Sequence, residues 1–373
     1  KDLPVRHPAD EHRIERHAQT PVAIDLLSAV VRQLAGRIGV VEVTDIHARR
    51  RLRSRLQSRI ARDVVTGLLC HCLAAAQADQ PDRREKQAEK SIDHVNNCFV
   101  VQCYDWMSGI DTVLGRPEDA KRYAEEAAAR RKRVHEVFYE PARGTYVDDT
   151  QLDLAYPLLV GAVPGDLREA VKSRLEQKKL VECKGHLDVG LVGVPPLTET
   201  LFQLDRNALV FEYTSKETYP GWGYMLANGA TTTWEHWDAL RSHIHNCYNG
   251  IGVWFYRGLA GIRPDAAAPG YAHFVLKPAV VGDVTWVSAR QDTVRGVIES
   301  VWRVKDGKFV WVLRIPANTS AAVMVPTSSA DAVKESDKPA SEAQGVKFVR
   351  AGDVRAIFDV QAGRYRFTAP LKK

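Results

Sequence analysis

The sequence predicts a helical domain followed by an antiparallel β-sandwich, because the spacing of its apolar residues changes once along the chain. Upstream of Pro264, apolar residues recur every three or four positions, as in amphipathic helices. Downstream of Pro264, they alternate with polar residues in short runs, as in half-buried strands. We therefore place the boundary between the two halves near residues 264–270.

The composition is that of an ordinary globular protein. The chain has 373 residues, of which 45% are hydrophobic and 26% charged, and a formal net charge of +6. This charge is small for the length, and no apolar run is long enough to cross a bilayer, so we expect neither nucleic acid nor a membrane as a partner. The chain begins at Lys1, so we expect a processed product or a fragment. The sequence does not indicate a cellular compartment.

The first hundred residues favour helices but are the least informative. Residues 23–38 carry apolar positions at helical spacing. Residues 49–62 contain seven arginines, and leucine or isoleucine recurs there at every fourth position. This second segment is either a solvated helix with a narrow apolar stripe or a basic helix that contacts phosphates. The sequence favours the first reading, since no known nucleic-acid motif accompanies the arginines.

Three further helices follow from the apolar spacing. Pro117 stands at a favourable first helical position, and small apolar residues follow on one face. The segment 166–180 repeats this scheme. The third series is the longest, because residues 251–262 carry apolar side chains at helical spacing until Pro264 ends the pattern.

The C-terminal part predicts short antiparallel strands. Asp306-Gly307 is a strong signal for a tight hairpin turn between the apolar alternation before it and that of residues 309–315. The segment 327–345 is rich in small and charged residues and predicts a long solvated loop. Further strands are predicted at 322–325, 346–350, 355–360 and 365–368.

The six cysteines are too sparse for a disulfide framework. Cys70 and Cys72 flank a histidine, and Cys98 and Cys103 follow, which raises the alternative of a zinc site. The Cys-x-Cys spacing is too short for usual zinc ligands, and apolar residues surround both pairs. We therefore expect buried thiols, with no metal and no cofactor.

The motif "TTTWEHWD" (231–238) places Glu235 and a histidine between two tryptophans. Aromatic rings stack on the C–H faces of sugars, while carboxylates and imidazoles bond the hydroxyls. An apolar wall can also raise the pKa of a carboxyl group into a range useful for proton transfer. A sugar-binding site and ordinary core packing are both consistent with this composition.

An ordered series of motifs resembles the bacterial α-L-rhamnosidases of glycoside hydrolase family 78. The resemblance covers the chain from Tyr104 onward, about seven-tenths of its length. The order of the motifs is more specific than any single one. They are "LGRPEDAKRYAEEA" (114–127), "GHLDVGLVGVPPL" (185–197), "GYMLANGATTTWEHWD" (223–238), "SHIHNCYNGIGVWFYRGLAGIRPD" (242–265) and "PGYAHFVLKP" (269–278).

The resemblance implies an (α/α)6-barrel-like helical domain, complete or incomplete, and then an antiparallel β-sandwich. We assign residues 1–103 to a helical N-terminal region, 104–266 to the barrel-like catalytic domain and 267–373 to the sandwich. Members release terminal α-L-rhamnose by inversion, so a rhamnose-containing glycoside is the expected partner.

The resemblance also implies roles for particular residues. The carboxylate of its Trp-Glu-x-Trp motif is the general base, which corresponds to Glu235, and its histidine before the last barrel helix corresponds to His245, a sugar ligand. Trp222, Trp237 and His186 correspond to less specific positions and are either walls of the pocket or core.

The sequence departs from the family upstream. The family's general acid lies in a motif of the form Asp-Cys-Pro-x-Arg-x-Glu-Arg-x-Gly-Trp, which this chain lacks. Glu15, in "ADEHRIERH" (9–17), is the nearest candidate, but the motif around it is incomplete and one residue short. The alternative to an enzyme is therefore an inactive or truncated sugar-binding protein. An incomplete barrel would expose apolar helix faces, so self-association is also expected.

Overall fold

A computed structural model describes residues 83–371 of the protein. The predicted helices at 23–38 and 49–62 lie outside the described residues, as do Glu15, Cys70 and Cys72. Among the described residues, no helix is both long and apolar enough to cross a membrane.

The first part of the described chain is helical. A short hairpin of two strands, β1 and β2, follows the second helix, and irregular helical turns extend the fourth and eighth helices. The bounds are α1 Arg83–Val113, α2 Pro117–Phe138, β1 Tyr139–Glu140, β2 Thr145–Tyr146, α3 Gln151–Leu159, α4 Arg168–Gln177, α5 Val194–Gln203, α6 Asn207–Ser215, α7 Trp222–Ala227 and α8 Ile251–Trp254.

Two helix predictions are confirmed. Helix α2 begins at Pro117, where the missing N–H costs no intrahelical hydrogen bond. The prediction at 166–180 corresponds to α4 and the wider turn Lys178–Glu182 that continues it. The predicted boundary between residues 103 and 104 falls inside α1, and the exact domain limits stay a prediction.

The helices pack around one apolar core. Fully buried side chains come from most of the helices and from the segments that connect them, including Leu154, Val171, Leu201, Tyr213 and Trp254. One face of α1 instead leaves apolar residues exposed, with Trp106 at 55% and Val113 at 67%. This is the kind of face for which we expected self-association, which stays a prediction.

A buried polar network joins α1 to the start of α3. Thr150 caps α3, and the Asp153 carboxylate accepts hydrogen bonds from the backbone N–H and the hydroxyl of Thr150 at 3.1 and 2.8 Å. The other carboxylate oxygen of Asp153 lies 3.2 Å from Nδ1 of His94, and both side chains are fully buried. One carboxylate therefore satisfies the helix cap and a buried imidazole together.

We expect Asp153→Ala to lower the free energy of unfolding by about 2–3 kcal/mol, because it removes the carboxylate that accepts from the N–H and hydroxyl of Thr150 and leaves buried His94 without its partner. Asp119→Ala is the matched control, since Asp119 also lies in a first helical turn but forms only an exposed ion pair with Arg122. Asp119→Ala should lower the free energy of unfolding by less than about 1 kcal/mol. Urea denaturation measures both, and equal losses would contradict the assigned role of Asp153.

The C-terminal part is a β-rich domain. Residues of all the longer strands contribute to one core, in which Trp302, Trp311, Phe358 and Phe367 are fully buried. The strands are β3 Ile262–Pro264, β4 His273–Leu276, β5 Trp286–Thr293, β6 Gly296–Lys305, β7 Lys308–Pro326, β8 Lys334–Glu335, β9 Lys338–Pro339, β10 Val346–Ala351 and β11 Arg355–Pro370.

Two long strands, β7 and β11, form the centre of this domain and change neighbours along their length. Their antiparallel register shifts between the pairs Gln361–Ser320 and Gly363–Ile315. On one side of the shift, β7 pairs with β6, and β11 pairs with β8. On the other side, β7 pairs with β4 and β11 with β10, so the strands wrap around a single core. The β4–β7 pair is parallel, whereas the other pairs are antiparallel.

The structure confirms the hairpin at Asp306-Gly307, where both turn residues have positive φ and Lys305 pairs with Lys308. The short strands predicted at 309–315 and 322–325 form one strand, β7, and those at 355–360 and 365–368 form β11. Alternation alone does not show that a strand continues through a bend.

Two sequence predictions are wrong in part. The helix predicted at 251–262 ends with the turn Phe255–Leu259, and Ile262 begins strand β3, because Gly261 turns the chain with a φ of 78°. The loop predicted at 327–345 contains the β8–β9 hairpin and two short helical turns. Val333 and Ala340 are buried there at 1% exposure and hold this segment on the core.

Candidate active site

The motif that contains Glu235 lies in a loop, residues 228–246, between α7 and the helical turn Cys247–Gly250. The loop folds back on itself. The backbone N–H of Glu235 donates to the carbonyl of Ser242 at 2.8 Å, and the N–H of His245 donates to the carbonyl of Thr233 at 2.9 Å. The Thr233 hydroxyl also donates to the His245 carbonyl. Glu235 and His245 therefore lie on the two arms of one hydrogen-bonded loop.

Polar groups surround the Glu235 carboxylate. Its side chain keeps 22% of its surface exposed, and Oε1 lies 3.7 Å from Nη1 of Arg241 and 3.9 Å from Nε2 of His236. The backbone N–H of Ser242 donates to Oε2 over a long 3.4 Å. These contacts leave the carboxylate partly open to solvent, so a water molecule can reach it.

The tryptophans beside Glu235 are packed into the protein. Trp237 is 7% exposed, stacks on Tyr248 with ring centroids 3.8 Å apart, and donates from Nε1 to the carbonyl of Val189 at 3.1 Å. Trp222 meets Trp237 edge-on at 5.1 Å and donates to the carbonyl of Tyr248. Trp234 is 5% exposed. The aromatic residues of the motif therefore anchor the loop to the helical core.

The two predicted sugar-binding histidines differ in their surroundings. His245 is half-buried, and its ring has no hydrogen bond to another described residue, which leaves it available to a ligand. The Nε2 atom of His186 lies 3.1 Å from the Thr218 hydroxyl, while its Nδ1 is buried without a protein partner among the residues described.

A buried lysine holds the segment that contains His186. Nζ of Lys179 donates to the carbonyls of Gly185 and His186, each at 2.5 Å, and lies 4.8 Å from the centre of the Tyr213 ring. The Lys179 side chain is fully buried, and this burial lowers its pKa to about 7. Donation from Nζ to two successive carbonyls favours a fixed path for the segment that contains Gly185 and His186.

The lowered pKa of Lys179 predicts a pH dependence of stability. Between about pH 7 and 10.5, the unfolded chain holds a proton on this lysine that the folded chain has released. Stability therefore rises with pH across this window, and the contribution is lost as the pH falls towards 7.

We expect Lys179→Met to flatten this rise, which has an upper limit of about 1.4 kcal/mol per pH unit for one proton. The measurement is urea denaturation of both proteins at several pH values between 7 and 10. Lys338→Met, at an exposed strand position, is the control and should leave the slope unchanged. A slope unaltered by Lys179→Met would show that the buried amine keeps its proton throughout.

Asp188 and Arg241 are two charged residues near this site that the sequence did not single out. The carboxylate of Asp188 accepts the backbone N–H of Gln151 at 3.0 and 3.1 Å, at the start of α3. Burial of this carboxylate raises its pKa, although the residue as a whole is exposed. The backbone carbonyl of the next residue, Val189, accepts a hydrogen bond from Nε1 of Trp237. The segments that contain Asp188 and Glu235 therefore lie next to each other. The sequence signal that could have identified Asp188 is its position inside the motif "GHLDVG".

The cysteines in the described part give no support to a zinc site. Cys98 and Cys103 are buried, as expected for core thiols, and burial raises the pKa of the Cys98 thiol. Within residues 83–371, no three histidine, cysteine, aspartate or glutamate side chains are grouped so that they could hold a metal ion.

Two family models match the chain in series. The bacterial alpha-L-rhamnosidase 6 hairpin glycosidase domain matches residues 71–259, which include Glu235 and His245. The bacterial alpha-L-rhamnosidase C-terminal domain matches residues 261–340. The chain belongs to the bacterial α-L-rhamnosidase family. The family resemblance and the fold class expected from the sequence are thus confirmed, as a six-hairpin helical domain followed by a β-rich domain.

Individual relatives agree with this assignment. An alpha-L-rhamnosidase of Streptomyces avermitilis is 31% identical over 75% of this chain, and one of Formosa agariphila is 25% identical over 78%. The chain spans only 27% and 32% of the lengths of these two relatives.

Solved structures agree as well. The alpha-L-rhamnosidase of Streptomyces avermitilis, complexed with L-rhamnose, superposes with a TM-score of 0.68 at 29% identity, covering 74% of this chain and 27% of that one. The enzyme from Dictyoglumus thermophilum gives 0.67 at 28% identity, covering 72% of this chain and 31% of that one.

Proposed function

We propose that this chain acts as an inverting glycoside hydrolase that releases terminal α-L-rhamnose, with Glu235 as its general base. The observation that carries the proposal is the match of the six-hairpin glycosidase model to residues 71–259. Within this range, Glu235 presents a partly exposed carboxylate next to Arg241, on the same loop as His245.

The proposed chemistry follows from inversion. The Glu235 carboxylate accepts a proton from a water molecule as that water attacks the anomeric carbon, and an acid on the opposite face protonates the departing oxygen. The two carboxyl groups of inverting glycosidases lie roughly 6.5–9.5 Å apart, which leaves room for the water. In this proposal His245 binds a sugar hydroxyl, and Trp222, Trp237 and His186 shape the site. The residue that serves as the general acid is unassigned.

The test is incubation of the full chain with an aryl α-L-rhamnoside. The proposal expects release of the aryl alcohol, with β-L-rhamnose as the first sugar product in a proton NMR time course. Absence of release by folded protein, or α-L-rhamnose as the first product, would contradict it.

A second candidate is a sugar-binding protein without catalysis. It is favoured by one observation, that the sequence lacks the family's acid motif. Calorimetry with L-rhamnose separates the two candidates. Binding without turnover would support the second, while hydrolysis would exclude it.

A further inference from the structure

The outward face of one half of the β-rich domain is strongly basic. It is formed by β5, β6, the first part of β7, the last part of β11, and β8, which pair in that order. Eight basic side chains lie on it, against two acidic ones. The basic residues are Arg290, Arg303, Lys305, Lys308, Arg314, Lys334, Arg364 and Arg366, and the acidic ones are Asp292 and Glu299.

The strand register places these charges in rows. Arg290, Glu299, Arg314 and Arg364 are successive cross-strand partners in one row. Glu299 lies 3.6 Å from Arg314 and 4.0 Å from Arg364, and Asp292 lies 3.3 Å from Arg290. Both acidic side chains of this face therefore form ion pairs with arginines, and they lie in one corner of the face.

Arg303, Arg366 and Lys334 occupy the other rows and make no ion pair with any residue that the structure describes. Arg303 and Arg366 lie on strands β6 and β11, which β7 separates. Two strand spacings of about 4.8 Å, together with an offset of two residues along β11, place their backbones roughly 12 Å apart. These cations are exposed and available to an anionic ligand.

The same face carries exposed apolar surface between the cations. Trp286 is 68% exposed and is the cross-strand partner of Arg303. Val301 and Val312 pair with each other across β6 and β7 and are 37% and 42% exposed. An indole exposed to this degree offers a stacking surface for the C–H face of a sugar ring.

We infer that this surface, called here the basic face, binds a polysaccharide that carries carboxylate groups along its chain. Arginine pairs with carboxylates in a planar, bidentate geometry, and several cations on one face can engage successive charges of one polymer. Trp286, Val301 and Val312 would contact the apolar faces of the sugar rings.

The observations favour a glycan over a nucleic acid as the occupant. Proteins that bind single-stranded nucleic acids stack successive bases on several aromatic rings, and this face exposes only one aromatic ring among the described residues. A glycan polymer is also the class of molecule that a chain of a glycosidase family meets. The inference concerns binding and does not depend on hydrolysis at Glu235.

The experiment is titration calorimetry of the full chain with polygalacturonate at low and high salt. The methyl-esterified polymer is the neutral control, because it keeps the backbone and removes the charge. We expect binding to polygalacturonate, weaker binding to the ester, and weakening by salt. The double variant Arg303→Gln/Arg366→Gln should bind roughly tenfold more weakly, and Trp286→Ala should also lose affinity.

The matched control is Lys347→Gln/Arg350→Gln, which removes two exposed positive charges from β10, outside the basic face. No binding to polygalacturonate, an equal loss in this control, or equal or tighter binding to single-stranded DNA or to phosphatidylserine vesicles would overturn the inference. Hydrolysis of a small aryl α-L-rhamnoside should be the same in all these variants, which separates failure of this surface from failure of the proposed active site.

Discussion

Replacing Glu235 by glutamine is expected to lower the rate of aryl α-L-rhamnoside hydrolysis by about 10²–10⁴-fold, the usual contribution of a general base. Glutamine keeps the size of the side chain and an oxygen that can accept from the Ser242 N–H, which lies 3.4 Å from Oε2. It cannot take a proton from water. The loop should therefore keep its fold while the reaction slows, with kcat affected more than KM.

Two further measurements distinguish loss of the base from distortion of the loop. Asp238→Asn is the matched control in the same loop, since Asp238 makes only a local turn contact with Leu240 and should keep its activity. Added azide should partly restore turnover of Glu235→Gln and give the β-linked glycosyl azide, because a small anion needs no base to attack. Unchanged hydrolysis by Glu235→Gln would remove this residue from the reaction.

Replacing Gly261 by alanine is expected to lower the free energy of unfolding by about 2–5 kcal/mol, the sum of a left-handed backbone cost and of overpacking. Gly261 has a φ of 78°, and an added Cβ would lie 2.3 Å from both the Lys277 carbonyl carbon and the Pro278 nitrogen. Both clashing atoms are backbone, in the segment that follows β4, so no side chain can move aside. Gly261 also joins the last helical turn to β3.

Gly307→Ala separates the two contributions. Gly307 has a φ of 70°, but nothing lies within 4 Å of its added Cβ. Gly307→Ala should therefore lower the free energy of unfolding only by the cost of a left-handed backbone conformation, about 1–2 kcal/mol. Urea denaturation of both variants measures the difference, which reports the close approach at Gly261. Equal costs would show that the backbone near Pro278 relaxes.

The sequence was informative wherever a local signal decides the structure. Pro117 begins a helix because its ring fixes φ, and Asp306-Gly307 makes a hairpin because both residues tolerate positive φ. The loop with Glu235 was also recognisable, since its motif is contiguous in the chain. Each of these features depends on a few neighbouring residues.

The wrong predictions concern segments whose structure depends on residues that are distant in the sequence. Residues 251–262 keep apolar helical spacing to their end, yet Ile262 pairs with Leu276 in a strand. Residues 327–345 look solvated in composition, yet buried Val333 and Ala340 attach them to the core. Periodicity records which side chains are apolar, but it does not record which partner buries them.

The sequence by itself determined the order of the two domains, the family of the chain and the position of its candidate base. Only the tertiary structure decided that Arg241 lies beside Glu235, that Lys179 is buried against Tyr213, and that basic residues from separate strands share one face. The physical reason is that periodicity and turn chemistry act over a few residues, whereas charge environments depend on contacts between segments that are remote in the chain.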